Sequence, residues 1–320
     1  MIQCGKKLEN WSIKTVLREG VRSMSENTLE TINRPKRSSP RIEYYKTIWK
    51  RLRKNKAAVV GGVFILLFII VSIVGPYFTT HDPTAVKVLN KLQTPSAAHW
   101  FGTDNFGRDI FTRIIHGMAL TLKVGFLSVA MGGSVGVVLG IVSGYYGGMV
   151  DTIIMRIMDV LLAFPGILLA LAIVSVLGGS LTNVIIAVGI FSVPAFARIV
   201  RGSTLSIRKL EYIDAVKALG ASNFRIIFKH ILPNVMSPII VQATLRIATA
   251  VLTASGLSFL GLGAQPPAPE WGAMLNDGRA YMSNAPHIIL FPGIMIVLVV
   301  LAFNIFGDGL RDALDPKMNK

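Results

Sequence analysis

One cysteine, Cys4, in 320 residues excludes an internal disulfide framework and leaves no thiol cluster for a metal. Charge is equally scarce. Asp, Glu, Lys and Arg make up 16% of the chain, against about 25% in soluble domains, which argues against a water-soluble fold. The five histidines, His81, His99, His116, His230 and His287, are scattered, with no i,i+4 pair and no adjoining Glu in a zinc-binding pattern. No Gly-x-x-x-x-Gly-Lys-Ser/Thr loop occurs, and the only Gly-Lys pair is Gly5-Lys6. No nucleophile and base stand together as a membrane enzyme would need. The later apolar stretches carry no acid between their ends, which counts against an ion-coupled secondary transporter. No metal or cofactor site is expected in this chain. Acids are also outnumbered, 17 to 33, but the basic residues flank apolar segments instead of gathering on one solvated face, so no nucleic-acid partner is expected.

What the chain has is apolar length: 52% hydrophobic residues and a mean hydropathy of +0.57. A helix needs about 20 apolar residues to cross a bilayer core while satisfying its own backbone. Residues 57–80, 124–150 and 288–307 each meet that length without a charge. The uncharged run 160–197 is too long for one crossing, and Gly178-Gly179-Ser180-Leu181-Thr182-Asn183 in its middle is turn chemistry, so it reads as a helical hairpin. A further span, 235–262, is interrupted only by Arg246, and the expectation is six spans in an all-α membrane protein. Lys and Arg gather on cytoplasmic flanks. With both termini inside, 26 of the 33 fall on the cytoplasmic side, most of them in residues 1–56 and 198–233. Six (Lys87, Lys91, Arg108, Arg113, Lys123 and Arg279) fall outside, and Arg246 lies within a span. Residues 1–56 contain no apolar core of signal-peptide type, so the first span reads as a retained signal-anchor. The tail reads as polar and loosely ordered to about residue 40. Within it, Trp11, Val16, Leu17 and Val21 could alternatively form a basic amphipathic helix on the inner leaflet, contacting membrane lipids.

Gly132, Gly136, Gly140 and Gly144 repeat every four residues and predict a packing seam, between spans or between two subunits. Pro165, Pro194 and Pro292 fall inside spans, where kinks are tolerated. Arg246, with Gln242 one turn before it, is a cation near mid-depth. It is expected to face a cavity or a partner subunit, the alternative being a side chain that snorkels to the headgroups. Lys123 reads as a snorkelling residue at the outer end of its span.

The segment from Glu211 to Asn234 reads as helix, glycine break, helix and proline, with acid in its first turn. Its second half puts Phe224, Ile227, Phe228 and Ile231 on one predicted face, opposite Arg225 and Lys229. The segment resembles the cytoplasmic coupling loop of importer permeases of the ATP-binding-cassette superfamily. Asp214-Ala215-Val216 stands where that family begins Glu-Ala-Ala, Gly220 takes the place of its glycine, and Leu232-Pro233 that of its closing Leu-Pro. From about residue 43 onward the likeness narrows to the second permease of dipeptide and oligopeptide systems, a group that includes nickel and glutathione importers. His99-Trp100-Phe101-Gly102-Thr103-Asp104-Asn105-Phe106-Gly107-Arg108-Asp109 carries it, as do Gly144-Tyr145-Tyr146-Gly147-Gly148 and Leu257-Ser258-Phe259-Leu260-Gly261-Leu262-Gly263. So do Gln265-Pro266-Pro267 with Trp271-Gly272, and Gly307-Asp308-Gly309-Leu310-Arg311-Asp312. An acid that many members carry is Ala254 here.

The resemblance implies a type I importer permease in a bacterial cytoplasmic membrane, with peptide cargo expected and nickel or glutathione as the alternatives. It implies a homologous second permease, two ATPase subunits holding ATP and Mg, and an extracytoplasmic binding protein. In that frame residues 1–56 are a cytoplasmic tail, 57–78 the first span, 79–119 an extracytoplasmic loop, 120–306 the five-span core with coupling loop 205–233, and 307–320 a cytoplasmic tail. The ATPase-docking residues would be Glu211, Tyr212, Asp214, Ala215, Ala218 and Gly220, followed by Ala221, Phe224, Ile227, Phe228, His230 and Pro233. ATP-driven closure of the ATPases would move this loop and rock the spans between inward-open and outward-open states.

Overall fold

The computed structural model describes residues 40–314, so the tail helix at Trp11 to Val21, Cys4 and the last six residues lie outside the described residues. Among the described residues the regular structure is helical, with one isolated antiparallel bridge between Thr103 and Asp109. Helix α1 spans Pro40–Lys54 and α2 spans Lys56–Val74, with Asn55 capping α2 through the Ala58 amide. A 3-10 turn, Gly75–Phe78, closes the first apolar run.

Helix α3, Ile110–Tyr146, is 37 residues long and starts well before the span expected from residue 124. The reason is local at one end and tertiary in the middle. Asp109 accepts a hydrogen bond from the Thr112 amide as the N-cap, and Arg113, which the sequence places in the extracytoplasmic loop 79–119, is buried and paired inside the fold. The other end also differs from the expectation of one span to residue 150. Gly147 and Gly148 hold φ values of +69° and +55°, conformations that cost glycine little, and they turn the chain into a separate helix, α4, Gly148–Ala163.

Helix α4 meets α5, Gly166–Leu177, at Phe164-Pro165 with a bend of 91°. Pro165 supplies no amide to continue α4. Among the described residues five helices are long and apolar enough to cross a membrane, and the bent α4–α5 pair makes a sixth if it counts as one span. Gly178 (φ +91°) ends α5, and Ser180 caps α6, Leu181–Arg208, through the Asn183 amide. Three short pieces follow: α7, Glu211–Ala218; α8, Asn223–Ile226; and a π-helical turn, Ile227–Ile231. Helix α9 runs from Leu232 to Phe259, α10 from Trp271 to Gly278, and α11 from His287 to Leu314, eight residues past the expected end of the core at 306.

The four-residue glycine repeat of α3 lies against α6, which places the predicted seam within this chain. A Cβ at Gly132 would stand 2.3 Å from the Gly189 carbonyl oxygen, and one at Gly136 2.7 Å from that of Val193. At Gly140 it would meet the Ala197 oxygen at 2.6 Å, and at Gly144 the Arg201 oxygen at 2.9 Å. The two backbones approach because α3 offers a glycine at each of these four contacts, and dispersion between the helices replaces contact with lipid. Around this pair, Ile114, Met118 and Leu122 of α3 pack with Val251 and Leu257 of α9, Trp271 of α10 and Val299 of α11.

Candidate coupling surface and membrane interior

The loop between α6 and α9 is built on a helix stop. Glu211 and Asp214 lie in the first turn of α7 and Lys217 in its last, each charge matching the helix dipole. The Gly220 amide donates to the Lys217 oxygen at 2.9 Å and the Ala221 amide to the Val216 oxygen at 3.3 Å, while Gly220 sits at φ +80°. That is the Schellman arrangement, which glycine enters without steric cost. No atom lies within 4 Å of a would-be Cβ at Gly220, so its requirement comes from backbone conformation alone. Ser222 then caps α8 through the Arg225 amide.

Two faces result. Ile213, Ile226 and Ile231 are fully buried, in a cluster with Val235, Ile141 and Tyr145 of α3 and Val200 of α6. Full burial of each isoleucine is worth about 1.5–3 kcal/mol where the alternative is water. The outward face shows Leu219 (86% exposed), Phe224 (70%) and Phe228 (53%), the two phenyl rings 4.3 Å apart between centroids. Tyr212 joins them, its hydroxyl accepting from Asn234 at 3.3 Å. Glu211, Asp214, Ala215, Ala218, Gly220 and Pro233 are exposed, whereas Ala221, Ile227 and His230 are half-buried.

This corrects the single face predicted for Phe224, Ile227, Phe228 and Ile231. The π-helical turn widens the repeat to five residues, so Ile226 and Ile231 share the buried side and the two phenylalanines turn out.

Within the apolar region, Arg246 stands midway along α9, half-buried, its guanidinium carbon 5.9 Å from the centre of the Phe191 ring on α6. Gln242 is half-buried one turn earlier. Lys123 is exposed on α3.

At the opposite end of α3 the structure assembles a buried polar network for which the sequence reading assigned no role. Asp104 accepts from the Arg108 Nε at 2.6 Å, and Arg108 Nη2 donates to Asp277, 169 residues away, at 3.0 Å. Arg113 Nη1 donates to the Pro83 and Pro267 carbonyls. His99 Nδ1 lies 2.8 Å from Asp109, and the Trp271 indole donates to the Ile114 carbonyl at 3.1 Å. Glu270 caps α10 through the Ala273 amide. Burial pushes its carboxyl above the usual glutamate range, opposed by the Gly272 and Ala273 amides. The i,i+4 spacing of Asp104 and Arg108 was the one local signal for this network; Asp277 offered none.

Residues 136–320 match the family described as the inner membrane component of binding-protein-dependent transport systems, and residues 43–95 match the N-terminal transmembrane domain of oligopeptide transport permease C. The dipeptide transport system permease protein DppC of Alkalihalophilus pseudofirmus is 54% identical over 277 residues, covering 87% of this chain and 91% of that protein. The glutathione transport system permease protein GsiD of Pectobacterium atrosepticum is 50% identical over 275 residues, covering 86% and 91%. The fold is shared with an inward-facing structure of the MetNI methionine ABC transporter, with a TM-score of 0.52 at 20% identity over 64% of this chain and 98% of that one. The chain therefore belongs to the family of membrane-embedded permease components of binding-protein-dependent importers.

Proposed function

We propose that this permease forms half of a peptide-import pathway. It would stand beside a homologous permease, be driven by two ATPase subunits that hold ATP and Mg, and be fed by an extracytoplasmic binding protein. The observation that carries the reading is the outward apolar face of the 211–233 loop, Tyr212, Leu219, Phe224 and Phe228, on a membrane protein of this family. Such a patch, rimmed by Glu211, Asp214, Arg225 and Lys229, suits a groove on a soluble subunit, where about 25 cal/mol per Å2 of buried apolar area would hold it. Nothing in this chain's motifs supplies hydrolysis, so the energy enters through that contact and appears as a shift between conformations of the spans.

Peptide cargo follows from the likeness to the dipeptide permease; the 50% identity with the glutathione permease supports a second reading, the tripeptide glutathione. The test is co-purification of the chain from its native membrane, followed by uptake into vesicles holding the whole complex. Labelled dipeptide, longer peptide, glutathione and nickel ion are supplied in turn. Peptide uptake with two ATPase chains in the complex is expected; uptake of nickel alone would overturn the cargo assignment, and absence of ATPase chains the coupling assignment.

Arg246 is assigned to the pathway or to the contact with the partner permease, because an arginine facing lipid at the bilayer centre costs at least about 2.5–3.5 kcal/mol. Arg246→Leu is expected to lower uptake strongly while the amount of complex in the membrane stays near wild type. Undiminished uptake would leave Arg246 as a side chain reaching the headgroups.

A further inference from the structure

Tyr145 has no assigned role in transport, yet it touches both helices of the loop at once. It is the penultimate residue of α3 and only 4% exposed. Its hydroxyl donates to Asn223 Oδ1 at 2.7 Å, and Asn223 is the first residue of α8. The Lys217 ammonium, from the last turn of α7, lies 5.6 Å from the centre of the Tyr145 ring. The ring itself sits in the cluster of Ile213, Ile226 and Ile231 that anchors the loop.

One residue before it, Gly144 closes the glycine seam against Thr204 and Arg201 of α6. One residue earlier still, Ser143 donates to Asp151 of α4, which also holds Arg201 through two hydrogen bonds of 2.5 and 2.6 Å. Three successive positions thus join the end of α3 to α4, to α6 and to the loop.

The two kinds of contact between loop and spans differ in what they transmit. Burial of the isoleucines is non-directional and by itself sets no preferred direction between loop and spans. A hydrogen bond has a preferred length and direction, and the one from Tyr145 fixes where α8 stands relative to the end of α3. The α3–α6 pair is joined through backbone approach and has little freedom to yield, so a displacement of α8 is passed on to the pair. We propose that Tyr145 is a positioning residue of the transport cycle, the point at which movement of the loop is handed to the α3–α6 pair. This rests on the reading of 211–233 as the ATPase-docking loop.

The experiment uses the whole complex in vesicles and measures cargo imported per ATP hydrolysed, alongside complex yield and basal hydrolysis. Tyr145→Phe keeps the ring and removes the bond; Asn223→Ala removes the acceptor from an exposed position; Asn223→Asp keeps an acceptor. Each of the first two is expected to lower cargo per ATP about fivefold, the factor that a hydrogen bond of ordinary net strength commands. The double variant is expected to lose about fivefold also, not the product, because both changes remove one bond. Asn223→Asp should stay within about twofold of wild type. Yield should not move in any of these variants, nor basal hydrolysis in Tyr145→Phe, which a purely structural role would not allow.

Wild-type coupling in Tyr145→Phe, losses that multiply in the double variant, or an Asn223→Ala complex that loses yield instead of coupling would each overturn the assignment. If Tyr145→Phe fails to assemble, the two Asn223 variants decide the question. A cysteine at Phe224 or Phe228 in the otherwise wild-type permease should cross-link to an ATPase subunit. Failure of that cross-link sinks the docking reading itself, separately from the result at Tyr145.

Discussion

Gly220 and Glu270 are governed by different physics, and each makes a prediction at its own position. At Gly220 the backbone is left-handed and the surroundings are open, so side-chain size matters only through φ. Asn tolerates that region far better than a β-branched residue. Gly220→Asn is expected to preserve cargo-stimulated ATP hydrolysis. Gly220→Val is expected to shift α7 against α8 and abolish most of that stimulation, at a stability cost of about 1 kcal/mol or more and with the complex still assembled. Full stimulation in the Val variant at normal abundance would remove Gly220 from the coupling path. At Glu270 the cause is burial, which raises the folded carboxyl above its ordinary value of 4.5 and so favours the protonated form in the fold. The stabilisation is complete below the unfolded value and fades as pH rises through the folded one. Thermal stability of the purified protein should therefore decline above about pH 4.5 in the wild type by more than in Glu270→Gln, which keeps an oxygen for the Ala273 amide; parallel pH profiles would refute the burial argument.

Among the elements, the α3–α6 seam is the most demanding contact. Adding a methyl at Gly136 would place it 2.6 Å from the Phe196 Cβ and 2.7 Å from a carbonyl oxygen, so one helix must move. Overpacking of this kind costs about 1–3 kcal/mol. Gly136→Ala should lower the melting temperature and abundance of the permease, whereas Gly202→Ala, with open space around its Cβ, should leave both unchanged. Equal stability of the two variants would deny the seam its role.

The seam was legible in the sequence because a four-residue spacing of small residues needs no knowledge of the partner helix; which helix it met was not. The π-helical turn was hidden for the same reason. Phe224 and Phe228 fit a regular helical face as well as any residues in the segment, and only packing against Ile141, Tyr145 and Val200 selects Ile226 and Ile231 instead. The break at Gly147-Gly148 could have been read from the dipeptide, but it sits in an uncharged run whose length suggested a single span. The long start of α3 was masked by Arg113 and Lys123, and only the buried partners of Arg113, drawn from distant segments, explain why a charge there does not end the helix.

At the scale of the whole molecule the open question is orientation, and several independent features bear on it. Lys and Arg divide 26 to six in favour of termini and the 198–233 region inside. Helix α3, at 1.5 Å per residue, is about 55 Å long and exceeds a hydrocarbon core of about 30 Å, so part of it must project into water or into a protein cap. The 110–123 end projects into such a cap, since Arg113 there is paired with segments 83 and 267. The opposite end carries the 211–231 loop, whose apolar outward face would, under the docking proposed above, meet ATPase subunits in the cytoplasm. Both termini are therefore expected in the cytoplasm and the 79–109 loop outside. In a Cys4→Ser background, Leu89→Cys, on a side chain that is 99% exposed, should react with an impermeant thiol reagent in intact cells. Lys217→Cys should react only after permeabilisation. Labelling of position 217 from outside would reverse the orientation and remove the coupling role of the loop with it, because no ATPase could then reach Phe224 and Phe228.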